Sequence, residues 1–109
     1  MKKLLIALAS AAALLSSSSA SALDYAGKRP LLIHASPGAP CVSFQLDGVP
    51  VSDPALPNNN PWFSLRKDHE HFAELLAMLL TAKAANIPIT VATSGSSCGN
   101  AGVAVVLLQ

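Results

Sequence analysis

Charge is scarce in this sequence. Acidic and basic residues make up 12% of the 109 residues, and the formal net charge is +1. Neither sign forms a run, which argues against a basic nucleic-acid surface and against an acidic solvating tail. Aromatic residues are also few: one tryptophan, one tyrosine and three phenylalanines. Cysteine occurs only at Cys41 and Cys98, without the C-x-x-C spacing of a zinc or redox motif. Past the first fifteen residues no apolar run approaches the roughly 20 residues needed to cross a bilayer. No Asp, Glu or His follows Ser97.

What is present begins with MKKLLIALASAAALLSSSSASA. Lys2 and Lys3 form a basic start, Leu4 to Leu15 an apolar stretch, and Ala20-Ser21-Ala22 offers small residues for a signal peptidase. The expected organisation is a signal peptide over 1–22 and one small domain over 23–109, periplasmic or secreted. Loss of the two lysines takes the net charge from +1 to −1. A chain this short buries little surface and gains from a covalent staple. Export to an oxidising compartment makes a Cys41–Cys98 disulfide the expected one.

Strand signals follow. Leu31 to Ala35 is a short apolar run between Pro30 and the turn-rich SPGAP. In Cys41 to Leu46, Val42, Phe44 and Leu46 alternate with Ser43 and Gln45, the period of a half-buried strand. Asp47-Gly48 suits a two-residue hairpin turn, with Val49 to Ser52 as a return strand that Pro50 restricts to an edge. DPALPNNNP, 53–61, holds three prolines and three asparagines and reads as irregular. Trp62 to Leu65 resumes as a short extended piece.

The spacing then predicts a helix over 68–86. Asp68 is the expected N-cap, Glu70 lies in the first turn and Lys83 near the end. Phe72, Leu75, Leu76, Leu79 and Leu80 form its core stripe, and Asn86 with Pro88 supplies the stop. Ile87, Ile89 and Val91 mark another strand. The last, Val103 to Leu108, is apolar on both faces and needs cover on both.

TSGSSCGNAG, 93–102, fits the G-x-S-x-G pattern of a hydrolase nucleophile elbow around Ser97. That motif requires a helix after the serine, with its acid and histidine later in the chain. Here glycines and another strand follow, so the stretch reads as a hairpin link tied down by Cys98. His69 and His71 stand two apart, where a helical zinc motif needs four, and His34 reads as a hydrogen-bonded structural residue. Trp62 has two readings, a core plug or an aromatic platform for a sugar ring. No catalytic, metal or cofactor residue is assigned.

The expected fold is mainly β with one helix (α+β): five or six short strands in a small OB-like Greek-key barrel. The stretch PWFSLRKDHEHFAELLAMLLTAKAANIPITVATSGSSCGNAGVAVVLLQ, with F-x-x-L-L-x-x-L-L-x-A-K along the helix and a Cys-Gly turn, resembles the second half of a class of small exported bacterial proteins of uncertain role. More distantly it is similar to the B subunits of the subtilase cytotoxin and pertussis-like toxins. The resemblance implies an OB-fold domain that assembles as a ring and binds glycans, and no binding residue carries across from it. The expected function is therefore an exported, non-enzymatic binding module for a glycan or protein surface, with a homo-oligomer as the implied assembly. The alternatives are a periplasmic structural or inhibitory domain that binds a partner protein and, last, a small hydrolase using Ser97.

Overall fold

Six strands and one helix make up the computed structural model, which describes residues 22–57 and 59–108. The leader read over 1–22 lies, Ala22 apart, outside them. The strands are β1 (Asp24–Lys28), β2 (Pro30–Ala35), β3 (Cys41–Leu46), β4 (Phe63–Arg66), β5 (Ile89–Ser97) and β6 (Asn100–Leu108), with α1 (Phe72–Ala85) between β4 and β5. They form one sheet in the order β1-β5-β6-β4-β3-β2. All neighbours are antiparallel except β4 and β6, which run parallel and are linked through α1 and β5.

This sheet is not closed into a barrel. The OB-like Greek-key barrel, and the toxin B-subunit likeness that implied it, are thereby corrected. β1 and β2 are the two edges, although Arg29 alone separates them in the chain. The reason lies in their pairing: Tyr25 and Lys28 are matched to β5, whereas Ile33 to Ala35 are matched to β3. The Arg29 carbonyl accepts from the Asp47 amide at 2.9 Å, and its guanidinium donates to the Asn86 carbonyl at the helix end, 3.2 Å away.

One face of the sheet carries the core. Phe44 and Leu46 of β3, Phe63 and Leu65 of β4, Ile89 and Val91 of β5, and Ala101, Val103 and Val106 of β6 are buried there with Leu75, Leu79 and Ala82 of the helix. Phe44 and Phe63 face each other across β3 and β4 and stack with centroids 5.3 Å apart. Tyr25 meets Phe63 edge-on at 5.4 Å, so three of the few aromatics form one cluster. The helix turns a slightly different stripe inward than its spacing suggests. Met78 packs against the core, while Leu80 is 49% exposed.

The helix also begins later than 68. Arg66 donates twice to Asp68, at 2.8 and 3.0 Å. That bond holds the Asp68 carboxyl below the usual carboxylate range and occupies the side chain expected to cap the helix. His71 is the residue before the first turn and makes no side-chain cap. The stop is as the sequence suggests: Asn86 is left-handed (φ 57°), and the Ile87 amide bonds the Ala82 carbonyl at 2.9 Å, a Schellman-type closure.

The Asp47-Gly48 turn forms without a return strand. Gly48 has φ 79° and the Val49 amide reaches the Leu46 carbonyl at 3.3 Å, but residues 49–52 form no ladder with β3. Pro50 lacks the donor a ladder needs, and β4 takes that side of β3 instead. The 49–62 loop closes on itself through Ser52, whose amide and hydroxyl both donate to the Asn60 carbonyl. Toward its end β6 leaves the face away from the core open among the described residues: Val105 and Leu107, pointing that way, are 43% and 55% exposed.

Tyr25 ties β1 to this loop, its hydroxyl donating to the Ser52 carbonyl at 2.7 Å. Burial, and secondarily the charge of Asp53, raise its pKa. The folded phenol thus holds its proton more tightly than the unfolded one. Its contribution to stability is complete below the unfolded value of about 10 and is lost as pH rises through the folded value. Tyr25 is the sole tyrosine, so tyrosinate absorbance reads it directly. A titration midpoint above about 10 is expected, and Tyr25→Phe is expected to flatten alkaline destabilisation; a midpoint at or below 10 contradicts the account.

Cys41 and Cys98 are joined, with Cα atoms 6.6 Å apart and a sequence separation of 57. Loop-closure entropy assigns such a bond about 4 kcal/mol. Cys41→Ala together with Cys98→Ala is expected to lower the urea unfolding free energy by up to about that amount. Equal midpoints for the two proteins would show that the bond is dispensable.

Candidate functional site

Strand alternation sends Cys41, Ser43 and Gln45 of β3 to the face away from the helix, because Val42, Phe44 and Leu46 take the core. Cross-strand partners share a face. His34 of β2 lies opposite Ser43, Ser43 opposite Ser64 of β4, and Ser64 is aligned with Gly102 of β6. A polar row therefore crosses four strands. Its histidine end is exposed, and Ser64 at its centre is buried.

Trp62 reaches this face from the end of the Pro/Asn-rich loop. Its amide donates to Asn60 Oδ1 at 2.9 Å, a turn that fixes the chain just before β4. The Asn60 amide nitrogen then donates to Asn100 Oδ1 at 3.1 Å. Asn100 Nδ2 in turn donates to the Ser64 hydroxyl at 3.0 Å. This relay holds the loop, β6 and β4 together. His34, Ser43, Trp62 and Asn100 line a hollow of about 320 Å3, at the low end of the range for small-molecule sites. Trp62 is half-buried and lies outside the core cluster, so it is not a core plug. Of its two donors and two acceptor sites, the Asn100 amide spends one of each on Ser64 and Asn60 among the described residues.

Next to it, His34 and Ser43 also line a second hollow of about 230 Å3, bounded by Ser36, Ala39, Pro40 and the Cys41–Cys98 pair. His34 Nε2 lies 3.2 Å from the Ser36 hydroxyl, which steadies the imidazole between the two hollows. Lys67 donates to the Ser36 carbonyl at 3.0 Å and does not line either hollow.

The other candidates are placed elsewhere. Cys98 (φ 52°) and Gly99 (φ 81°) are the two central residues of the β5–β6 turn, flanked by the pair Ser97 and Asn100. Two positive φ angles define a type I′ hairpin. A strand follows Ser97 where an elbow requires a helix. Its hydroxyl packs on Gly102: a β-carbon there would lie 2.8 Å from Ser97 Oγ and 3.2 Å from the Ser94 carbonyl. His69 and His71 sit in the exposed turns before α1, with rings 6.1 Å apart. His71 approaches Glu70 at 3.4 Å and Glu74 at 3.9 Å. Among the described residues no three His, Cys, Asp or Glu side chains form a metal-holding group, and no catalytic constellation assembles. No helix among them is long and apolar enough to cross a membrane.

Compared with known proteins, the chain matches no protein-family model and no curated sequence. Asn60, Asn100 and Ser43 were not singled out by the sequence. The small polar residues alternating outward on β3 were the available signal, and they read there as an ordinary solvated face.

The close fit at Gly102 gives a direct check on Ser97 as a packing residue. Gly102→Ala is expected to cost about 1–3 kcal/mol in chemical denaturation, and Ser97→Gly in the same chain to recover part of it. A neutral Gly102→Ala would remove the packing role.

Proposed function

We propose that this chain is an exported, non-enzymatic binding module that holds a sugar ring against Trp62. The observation that carries the reading is half-buried Trp62, its backbone amide held by Asn60, at the rim of a hollow whose remaining walls are His34, Ser43 and Asn100. An apolar ring face beside neutral donors and acceptors suits a sugar, which presents C–H groups on one face and hydroxyls around its edge. The disulfide and the leader-like start support export, since such bonds persist in oxidising compartments.

Trp62 is the sole tryptophan, so tryptophan emission, excited beyond the absorption of Tyr25, reports this hollow alone. Glucose, galactose, N-acetylglucosamine, their oligomers and a glycan array form the test panel. At least one sugar is expected to shift the emission. Trp62→Ala is expected to weaken that sugar at least tenfold by calorimetry, about 1.4 kcal/mol, with unchanged circular dichroism because Trp62 is outside the core. A silent panel, or undiminished binding by Trp62→Ala, overturns the reading.

A further inference from the structure

The outward side of β3 continues past the Trp62 hollow in both directions. Cys41, Ser43 and Gln45 are successive outward residues, so the floor from first to last is about 13 Å long. The hollow at Trp62 and the hollow at the disulfide share His34 and Ser43 as a common wall. At the other end Gln45, Pro50 and Pro61 line a third, shallower hollow, and Pro61 adjoins Trp62 in the chain.

We propose that the ligand is a linear, neutral glycan lying along β3, with one sugar unit at Trp62 and the chain continuing over Ser43 toward the disulfide. This rests on the reading of Trp62 as a sugar platform. Three observations favour such an occupant. The length of the floor exceeds what a single ring covers. Among the described residues no Lys, Arg, Asp or Glu lines any of the three hollows, so none of these walls selects a charged ligand. β3 is hydrogen-bonded to β2 on one side and β4 on the other, so its backbone is spent. An extended peptide therefore gains no main-chain pairing here. Recognition falls to side-chain amides, hydroxyls and the imidazole, which match the hydroxyl groups of a glycan.

The experiment compares monosaccharides with their linear tetramers on the native oxidised protein, read by Trp62 fluorescence. The probes are glucose, N-acetylglucosamine, cellotetraose, maltotetraose and the β-1,4-linked tetramer of N-acetylglucosamine. At least one tetramer is expected to bind tenfold or more tightly than its monomer. Ala39→Leu, which narrows the hollow beside the disulfide and leaves Trp62 untouched, is expected to bring that tetramer down to monomer affinity without changing the monomer. Equal affinities for monomer and tetramer on the native protein overturn the extended site while leaving the Trp62 platform standing, and this comparison needs no variant. A length advantage that survives in correctly folded Ala39→Leu overturns the direction of the track. Silence of Trp62 toward every sugar removes the platform and the track together.

Discussion

Between β4 and β6 the two halves of the sheet meet through a short parallel pairing, Phe63 with Ala101 and Ser64 with Gly102. On one side stands the meander β2-β3-β4; on the other, β1 packs on the β5–β6 hairpin. Parallel neighbours need a long crossover, here α1 with β5, and parallel pairing is slightly weaker per residue than antiparallel pairing. The joint is therefore where this small fold most needs other interactions. They are found on both faces. On the core side Phe63 is sandwiched between Phe44 and Tyr25, under the helix. On the outer side Asn100 bonds Ser64 across the joint. At its end the disulfide ties the tip of the β5–β6 turn to Cys41 of β3, spanning the intervening β4.

The proposed site lies on that joint. Asn100 comes from β6 and Trp62 from the residue before β4, while His34 and Ser43 come from the meander. Whatever fixes the two halves also fixes the walls of the hollow. The same amide relay that secures the joint holds the Trp62 backbone in place, so positioning of that residue and stability of the joint share one set of bonds. A site held this way loses little freedom when a ligand arrives, which lowers the entropic cost of association.

The sequence made some of this legible, for identifiable physical reasons. β3 announces itself because one of its faces is buried and the other is not. The hairpin at Cys98-Gly99 is legible because glycines concentrate where positive φ is needed, and two cysteines allow one pairing. β1 was not legible: in DYAGK only Tyr25 has a large apolar body, and the strand bulges between Tyr25 and Lys28. Asp68 misled because a good capping residue was claimed by Arg66, two positions away. Asp47-Gly48 misled because turn chemistry specifies the turn and leaves the following strand to compete with β4. Closure of the sheet depended on how the edges pair, which no local pattern encodes. The site was the least legible part, since Ser43 and Asn100 are ordinary surface residues until the fold brings them to one hollow, and Asn60 an ordinary loop residue until it holds the Trp62 amide and Asn100.

The same geometry bears on the choice between recognition and chemistry. A nucleophile needs a base within hydrogen-bond reach, and that base needs its own orienting partner. Ser97 Oγ is packed over Gly102, and His69 Nδ1 accepts from the His71 amide beside α1. His34 Nε2 does meet the Ser36 hydroxyl at 3.2 Å, but among the described residues no carboxylate orients its other ring nitrogen. What converges on the outer face is an indole, two side-chain amides, hydroxyls and one imidazole. Groups of that kind discriminate by shape and by the pattern of neutral hydrogen bonds. Their value grows with the rigidity of the surface carrying them, and a covalent bond at the end of a weak parallel joint supplies that rigidity where the fold is otherwise thinnest.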